Sequence, residues 1–306
     1  MNKTILVCGA GGFIGTHLVN DLKAKGHTVV GVDIKEPLYE DTRCNEFYKQ
    51  DLREADMVDF IFSQHEFDEV YQLAADMGGA GYIFIGDNDA DIMHNSASIN
   101  LNVLESCRKN NVKKVFYSSS ACMYPEHNQL DPDNPDLAED TAYPANPDSD
   151  YGWEKLFSER LYLAYGRCYN MNVKIARFHN IFGPQGSWNN GKEKAPAALM
   201  RKVAMAEHDG VIEVWGPGNQ TRSFLFIDEC VEGVQRIMES DLTEPVNLGS
   251  TRKISINELV LLIAERTNKR VTIKNIDGPR GVMGRTSDNK MIKEKIDWAP
   301  RKFRKE

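Results

Sequence analysis

The sequence predicts an α/β protein with a doubly wound parallel sheet and a smaller C-terminal lobe that is interleaved with the sheet. The first observation is that short β-rich runs alternate with longer helical stretches through the first 180 of 306 residues. This alternation is typical of right-handed βαβ units with helices on both faces of the sheet. The second observation is a glycine-rich loop that follows the first run and opens the first helix.

The elements of the sheet region are predicted from short apolar runs and from the helical stretches between them. We expect strands over residues 3–7, 28–33, 69–73, 114–118 and 173–177, with helices such as 13–24 and 97–110 between them. The strand over 173–177 is expected to close the series. A segment over 130–147 is dense in Pro, Asp and Asn, and it predicts a surface excursion before a helix that begins near Asp150.

After Phe182 the pattern changes to longer loops and isolated short elements. The strands expected there cover 212–215, 223–227 and 271–273, and the helices cover 195–206, 227–239 and 256–267. We therefore predict a sheet domain over residues 1–180 and a smaller lobe over 181–306, with a boundary that is interleaved with the sheet domain.

Composition and charge disfavour several classes of protein. Apolar residues are 41% and charged residues 27% of the chain, which is ordinary for a globular protein. The net charge of −8 disfavours nucleic acid as a partner, because phosphate binding favours a basic face. No apolar stretch of 18 residues occurs, so no membrane partner is expected. The six cysteines lack a C-x-x-C pair, which indicates reduced thiols in the cytoplasm and predicts neither a disulfide scaffold nor a metal site.

The glycine-rich loop has the spacing of a Rossmann-type dinucleotide site. Its glycines permit a tight turn and a close approach of the backbone to a pyrophosphate, and the helix that follows supplies free amides and a positive dipole end. A strand precedes the loop and a helix follows it, as this fingerprint requires. The candidate cofactor contacts of the loop are Gly9, Gly12, Phe13, Ile14 and Gly15.

The carboxylate that ends the second predicted strand selects the cofactor. Asp33 stands eighteen residues past Gly15, where it can accept hydrogen bonds from both ribose hydroxyls and would repel a 2′-phosphate. NAD is therefore favoured over NADP. Asp51 and Leu52 are placed to meet the adenine.

A tyrosine and a lysine one helical turn apart predict a hydride-transfer site. Tyr151 and Lys155 share one face of the expected helix. The lysine charge, together with that of the nicotinamide, is expected to lower the pKa of the phenol, so that a phenolate can take a hydroxyl proton at neutral pH. Ser120 lies where its hydroxyl could hold the substrate oxygen against Tyr151.

Cys122 adds carbon-acid chemistry to this redox site. It follows an apolar run and three serines, at the end of a predicted buried strand. A thiolate stabilised by nearby cations can take a proton from carbon. A free cysteine that serves only as a small buried side chain is the structural alternative.

Beside these features, the chain resembles the extended short-chain dehydrogenase/reductase superfamily and, within it, the GDP-mannose 3,5-epimerase family. The resemblance runs from residue 3 to about residue 300, and the segments around Cys122 and Lys194 are its most specific parts. The segments that carry it are Ala-Ala-Asp-Met-Gly-Gly (74–79), Ser-Ser-Ala-Cys-Met-Tyr-Pro (119–125), Arg-Phe-His-Asn-Ile-Phe-Gly-Pro (177–184), Lys-Glu-Lys-Ala-Pro-Ala-Ala (192–198), Gln-Thr-Arg-Ser-Phe (220–224) and Gly-Arg-Thr-Ser-Asp-Asn (284–289).

The resemblance implies NAD-linked oxidation of carbon 4 of a GDP-linked sugar, epimerisation at carbons 5 and 3, and return of the hydride. Tyr151 and Lys155 would serve the redox step, and Cys122 and Lys194 would be the base and the acid. Lys194 could also be the cation that stabilises the Cys122 thiolate. The domain over 1–180 would bind NAD and the lobe over 181–306 the nucleotide sugar, in a homodimer. The positions at which the family holds its substrate are Gly79, Ser120, Asn180, Lys194, Gln220, Arg222 and Arg285.

Two other functions remain open on the sequence. A nucleotide-sugar 4-epimerase or 4-dehydrogenase acting on a GDP-hexose or GDP-heptose would use Tyr151 and Lys155, while Cys122 only shapes the pocket. A non-catalytic NAD-sensing module would have no need of the Tyr151–Lys155 pair. A 4,6-dehydratase is disfavoured because Ala121 and Cys122, rather than Asp-Glu, follow Ser120.

Overall fold

The computed structural model describes residues 2–301. Its helices are α1 (Phe13–Ala24), α2 (Ala55–Gln64), α3 (Ala80–Ile83), α4 (Asp89–Lys109), α5 (Asp150–Tyr169), α6 (Ala195–Met205), α7 (Ile227–Glu239), α8 (Ile256–Arg266) and α9 (Lys290–Ile296). Its strands are β1 (Thr4–Cys8), β2 (Thr28–Asp33), β3 (Glu46–Lys49), β4 (Glu69–Gln72), β5 (Lys114–Ser120), β6 (Val173–Phe178), β7 (Ile181–Phe182), β8 (Gly210–Trp215), β9 (Thr221–Ser223), β10 (Leu225–Phe226), β11 (Val246–Leu248), β12 (Lys253–Ser255), β13 (Val271–Ile276) and β14 (Gly284–Arg285).

Seven strands form one parallel sheet in the order β11-β6-β5-β4-β1-β2-β3. The chain winds outward from β1 in both directions, which confirms the predicted doubly wound Rossmann-type sheet. In such a sheet the carboxyl ends of all strands meet at one edge, and the strand order reverses beside β1. The loops after β1, β4 and β5 therefore lie next to one another.

Helices cover both faces of this sheet because alternate side chains of each strand point to opposite sides. Ile5 and Val7 of β1 pack in one core with apolar residues of α1 and α7. Leu6 and Cys8 pack in a second core with residues of α2 and α4. The sheet is therefore buried on both sides, as its continuous apolar strands require.

Several element bounds differ from those predicted. Helix α4 begins at Asp89, eight residues before the predicted start at 97, because its polar first turns carry few apolar residues to mark a helical period. The edge strand β3 was not predicted, since its four residues are exposed or half-buried. Residues 173–177 do not close the sheet either, because β11 pairs with β6 from 70 residues further along the chain.

The second group of elements forms a smaller core beside the sheet. Strands β12, β9 and β14 make one small sheet, and β13 pairs with β8 in another. Helices α6 and α8 pack together against them around Leu199, Val203 and Val260. Strand β11 belongs to the large sheet and helix α7 packs against it, although both lie beyond residue 180.

The Pro-rich segment over 130–147 is a surface excursion with buried anchor points at Leu137 and Ala142. Gly284 of β14 packs so closely on this segment that a Cβ there would lie 2.4 Å from the Asp131 carbonyl oxygen. The excursion therefore braces β14, which carries Arg285. Among residues 2–301 no helix is long and apolar enough to cross a membrane, and no cluster of three or more metal-binding side chains occurs.

Candidate active site

The glycine loop closes tightly between β1 and α1. A Cβ at Gly15 would lie 2.0 Å from the carbonyl oxygen of Gly9, and a Cβ at Gly11 would lie 1.9 Å from that of Lys35. Gly9 has a φ of +81°, which an L side chain rarely adopts. The backbone is thus shaped for close contact with a ligand at the start of α1, and the loop fits a dinucleotide pyrophosphate.

The Asp33 carboxylate lies beside this loop at the end of β2. It accepts hydrogen bonds from the backbone N–H groups of Gly11 at 3.1 Å and Lys35 at 3.2 Å. Burial raises the pKa of Asp33, and these two N–H groups act in the opposite direction. The position suits an acceptor for the adenosine ribose. Asp51 forms an ion pair with Arg53, and that bond lowers the pKa of Asp51.

The cofactor loop and the substrate residues meet at the carboxyl edge of the sheet. The backbone N–H of Leu73, after β4, donates to the Cys8 carbonyl of β1 at 3.1 Å. A Cβ at Gly9 would lie 2.9 Å from the nitrogen of Ala74. Strand β5, which ends at Ser120, is the next neighbour of β4. A ligand on the glycine loop can therefore extend along this edge toward Ser120.

A cavity of about 400 Å³ lies beyond this edge, between the sheet and the second group of elements. Eight of the side chains predicted for substrate or catalysis, together with Gly79, line it. They come from seven separate segments of the chain: Gly79; Ser120 and Cys122; Tyr151; Asn180; Lys194; Gln220 and Arg222; and Arg285.

Tyr151 and Lys155 lie one turn apart on α5, as predicted, and both are buried. The Lys155 ammonium lies 5.7 Å from the centre of the Tyr151 ring and donates to the Ser118 carbonyl at 3.1 Å. Burial lowers the pKa of Lys155, although Glu154 and Cys122 act in the opposite direction.

The surrounding protein groups raise the pKa of the Tyr151 phenol. Burial raises the pKa of Tyr151 well above its ordinary value, and the charge of Cys122 raises it further. Ser120, through a hydrogen bond, and the charge of Arg285 lower it by less. Desolvation therefore raises the pKa of Tyr151 by more than the described cations nearby lower it.

Cys122 stands in a short 3-10 turn directly after β5. Its backbone N–H donates to the Ser120 hydroxyl at 3.2 Å, and its side chain points into the cavity and is 9% exposed. The Nη1 of Arg285 donates to its sulfur at 2.9 Å. The cation in contact with the thiol is thus Arg285, whereas the sequence had suggested Lys194.

Lys194 is the N-cap of α6 and lines the cavity next to Gly79. A Cβ at Gly79 would lie 2.1 Å from the Glu193 carbonyl, so these two backbones touch. Burial lowers the pKa of Lys194, while the charge of Cys122 raises it. An ammonium with a lowered pKa can release a proton near neutrality.

The remaining predicted substrate residues differ in how many of their polar groups form hydrogen bonds within the protein. Arg222 donates to the backbone carbonyls of Thr221, Arg280 and Val282 and has no carboxylate among its described hydrogen-bond partners. Burial, followed by the charge of Arg285, lowers the pKa of Arg222 to about 10. Gln220 keeps a buried Oε1 without a partner among the described residues.

Two residues beside Cys122 were not predicted. Asp148 pairs with Arg285 at 3.0 Å, and Gln129 accepts from the Arg285 Nε at 2.7 Å. Asp148 stands three residues before Tyr151, directly before the helix start, and this was the available sequence signal. Gln129 lies directly before the excursion, and nothing in its local sequence distinguishes it from a surface residue.

The comparisons with known proteins agree with this geometry. The model of the NAD dependent epimerase/dehydratase family matches residues 5–249. The chain is 48% identical over 301 residues to GDP-mannose 3,5-epimerase of Arabidopsis thaliana, covering 98% of this chain and 78% of that protein. It superposes with a TM-score of 0.86 on UDP-glucose 4-epimerase of Thermotoga maritima at 27% identity, covering 97% and 94% of the two chains. It also shares the fold of Thermus thermophilus UDP-glucose 4-epimerase solved with NAD (TM-score 0.79, 23% identity, 97% and 94% covered).

The fold and the site define an NAD-dependent enzyme with a short-chain dehydrogenase/reductase architecture. The chain belongs to the NAD dependent epimerase/dehydratase family. The predictions of a Rossmann-type fold, of an enzyme and of NAD as cofactor are confirmed.

Proposed function

We propose that the protein is an NAD-dependent GDP-mannose 3,5-epimerase that acts through a 4-keto sugar. The observation that carries this proposal is the presence of Cys122 and Lys194 in the same cavity as Tyr151. A simple 4-epimerase or 4-dehydrogenase needs only the Tyr151–Lys155 pair. The 48% identity to the plant GDP-mannose 3,5-epimerase supports the same reaction.

The redox step needs a base for the carbon-4 hydroxyl. When bound, NAD would supply the acceptor for the carbon-4 hydride and the donor for its return. Tyr151 takes the hydroxyl proton, and Ser120 holds the same oxygen by a hydrogen bond. Since burial raises the pKa of Tyr151, the phenolate needs positive charge close to it. Lys155 lies behind the ring and supplies part of that charge.

Oxidation of carbon 4 makes the neighbouring protons removable. Protons on carbons 3 and 5 are then alpha to a carbonyl, and loss of either gives an enolate. The Cys122 thiolate takes the proton from one face, and the Lys194 ammonium returns one from the other. Burial lowers the pKa of Lys194, which favours this donation.

The ligands are held by groups that the protein leaves available. Arg222 is suited to the anionic diphosphate because no described carboxylate pairs with it. Asn180, Gln220 and the backbone at Gly79 complete the substrate contacts in the cavity. For NAD we propose the loop residues Gly9, Gly12, Phe13, Ile14 and Gly15, the ribose acceptor Asp33, the adenine contacts Asp51 and Leu52, and Tyr151 with Lys155 beside the nicotinamide.

We also propose a homodimer in the cytoplasm. Helices α4 and α5 pack side by side and expose large apolar side chains. Leu101, Trp153 and Phe157 are 45%, 41% and 48% exposed. A second copy of this surface would cover them.

Proton NMR of GDP-mannose with the enzyme in deuterated water tests the reaction. The wild-type enzyme should incorporate deuterium at carbons 5 and 3 and accumulate 3- or 5-epimers. Cys122→Ala should still oxidise and re-reduce carbon 4 but lose deuterium uptake and every such epimer. Lys194→Ala should block epimer formation as well, and a large loss of affinity would indicate that this lysine also binds the diphosphate.

The open alternatives give different spectra. A wild-type enzyme that inverts or oxidises carbon 4 without exchanging the neighbouring protons would be the simpler 4-epimerase or 4-dehydrogenase, and Cys122 would then only shape the pocket. Release of NAD on unfolding without turnover of any sugar nucleotide would indicate an NAD-sensing module.

A further inference from the structure

The Arg285 guanidinium is held on three sides by protein groups. Its Nη1 contacts the Cys122 sulfur at 2.9 Å, its Nη2 the Asp148 carboxylate at 3.0 Å and its Nε the Gln129 amide oxygen at 2.7 Å. The side chains of Arg285 and Asp148 are 6% and 4% exposed. Three of the five N–H groups of this arginine are therefore committed within the protein.

Two arginines lie side by side in the lining of the cavity. Arg285 of β14 and Arg222 of β9 are directly paired in register on parallel strands. The charge of Arg285 lowers the pKa of Arg222, so the two guanidinium groups repel each other. Burial alone would lower the pKa of Arg285 too, but Cys122 and Asp148 beside it raise it above its ordinary value. Asp148 is thus the carboxylate that pairs with the Arg285 charge beside Arg222.

Asp148 is also tied to the helix that carries Tyr151. The Ser149 hydroxyl lies 3.3 Å from the Asp148 carboxylate, and the same hydroxyl caps α5 by accepting from the N–H of Gly152. The carboxylate is therefore anchored to a rigid helix start, and a rigid anchor can fix the direction of a long side chain.

We propose that Asp148 is a positioning residue that holds the Arg285 guanidinium on the Cys122 sulfur. Arg285 is thereby reserved for the proton-abstracting thiolate, and Arg222 is left for the anionic part of the substrate. This inference rests on the proposed epimerase function, since it needs Cys122 to act as a base. It differs from the expectation that both arginines hold the substrate.

Asp148→Ala in the full-length enzyme, with GDP-mannose in deuterated water, tests this role. Deuterium uptake at carbons 3 and 5 should fall about tenfold or more. The single-turnover rate of NADH formation and the Michaelis constant should each stay within about threefold, because Tyr151 and Arg222 remain in place. Asp148→Asn keeps an oxygen that can accept from Arg285 and should recover part of the uptake. Asp133→Ala removes an exposed ion pair with Lys253 and should leave both rates unchanged.

A double-mutant cycle decides whether Asp148 acts through Arg285. Arg285→Met should lose deuterium uptake to a similar degree, and adding Asp148→Ala to it should cost less than twofold more. Unchanged uptake in Asp148→Ala and Asp148→Asn would overturn the proposal, as would independent, multiplying losses in the double variant. A parallel fall of uptake and NADH formation would assign Asp148 a general structural role and overturn it too. Failure of the proposed function would be recognised separately, because the wild-type enzyme would then show no uptake at carbons 3 and 5.

Discussion

The glycine loop and the cavity differ in the groups that they offer to a ligand. The loop is one continuous segment from Gly9 to Gly15, and its shape follows from backbone contacts that leave no room for a Cβ. The cavity wall is assembled from seven separate segments. Its character follows from buried charges, chiefly those of Arg222, Arg285 and Lys194.

This difference has a physical reason. A pyrophosphate can be bound by backbone N–H groups and a helix dipole, which any sequence with the right glycines can supply. Removing a proton from carbon needs side chains with perturbed proton affinities, and only burial and charged neighbours can provide these. Variants of the first region should therefore change cofactor selection, whereas variants of the second should change chemistry and substrate affinity.

The largest effect is expected at Tyr151, where the two regions meet. Tyr151→Phe should abolish turnover, including transient NADH formation, with a loss on the order of a hundredfold to ten-thousandfold. The reason is that no other described group is placed to take the carbon-4 hydroxyl proton. Stopped-flow absorbance of NADH measures it. Tyr143→Phe, which changes an exposed tyrosine, is the matched control, and a near-normal rate in Tyr151→Phe would place the redox centre elsewhere.

An intermediate effect is expected at Arg222. Arg222→Gln should raise the Michaelis constant about tenfold to a hundredfold, since it removes a charged hydrogen-bond donor aimed at an anion. The bound NAD should be retained, because Arg222 is remote from the glycine loop. Steady-state kinetics and the NAD content of the purified protein check both statements. Loss of NAD together with substrate affinity would show that the two regions are not separable.

The smallest effect is expected at Asp33 and concerns selectivity. Asp33→Ser should weaken NAD binding more than NADP binding and change their ratio about tenfold, because the carboxylate no longer repels a 2′-phosphate. Asp33→Asn is the sharper variant, since it keeps an oxygen that can accept from Gly11 and removes only the charge. Titration of the cofactor-free protein with both nucleotides measures the ratio. An equal loss of both would mean that Asp33 only braces the loop.

Much of the fold could be predicted because its signals are local. Helix α1, strand β2 and helix α7 have the bounds that the sequence predicted, since apolar runs and helix starts are contiguous there. Strand β11 was missed because it has only three residues, and they form a strand only by pairing with β6, which lies far away in the sequence. The early start of α4 was missed because polar residues fill its first turns.

The site was predicted as a set of residues but not as a set of contacts. All seven residues expected to bind the substrate line one cavity, together with Cys122 and Tyr151. The partner of the Cys122 thiol was expected to be Lys194 and is Arg285, which in turn pairs with Asp148. Burial raises the pKa of Tyr151, and the degree of burial at α5 cannot be inferred from the spacing of a tyrosine and a lysine.

The sequence by itself determined the Rossmann-type sheet, the cofactor loop and the choice of NAD, because strand periodicity, glycine spacing and a carboxylate at the end of β2 act over short stretches of chain. Only the tertiary structure decided which charges face one another in the cavity. Arg285, Asp148 and Cys122 are separated by up to 163 residues, and their contacts exist only once the excursion, the start of α5 and β14 pack together. Desolvation and charge pairing are properties of that packing.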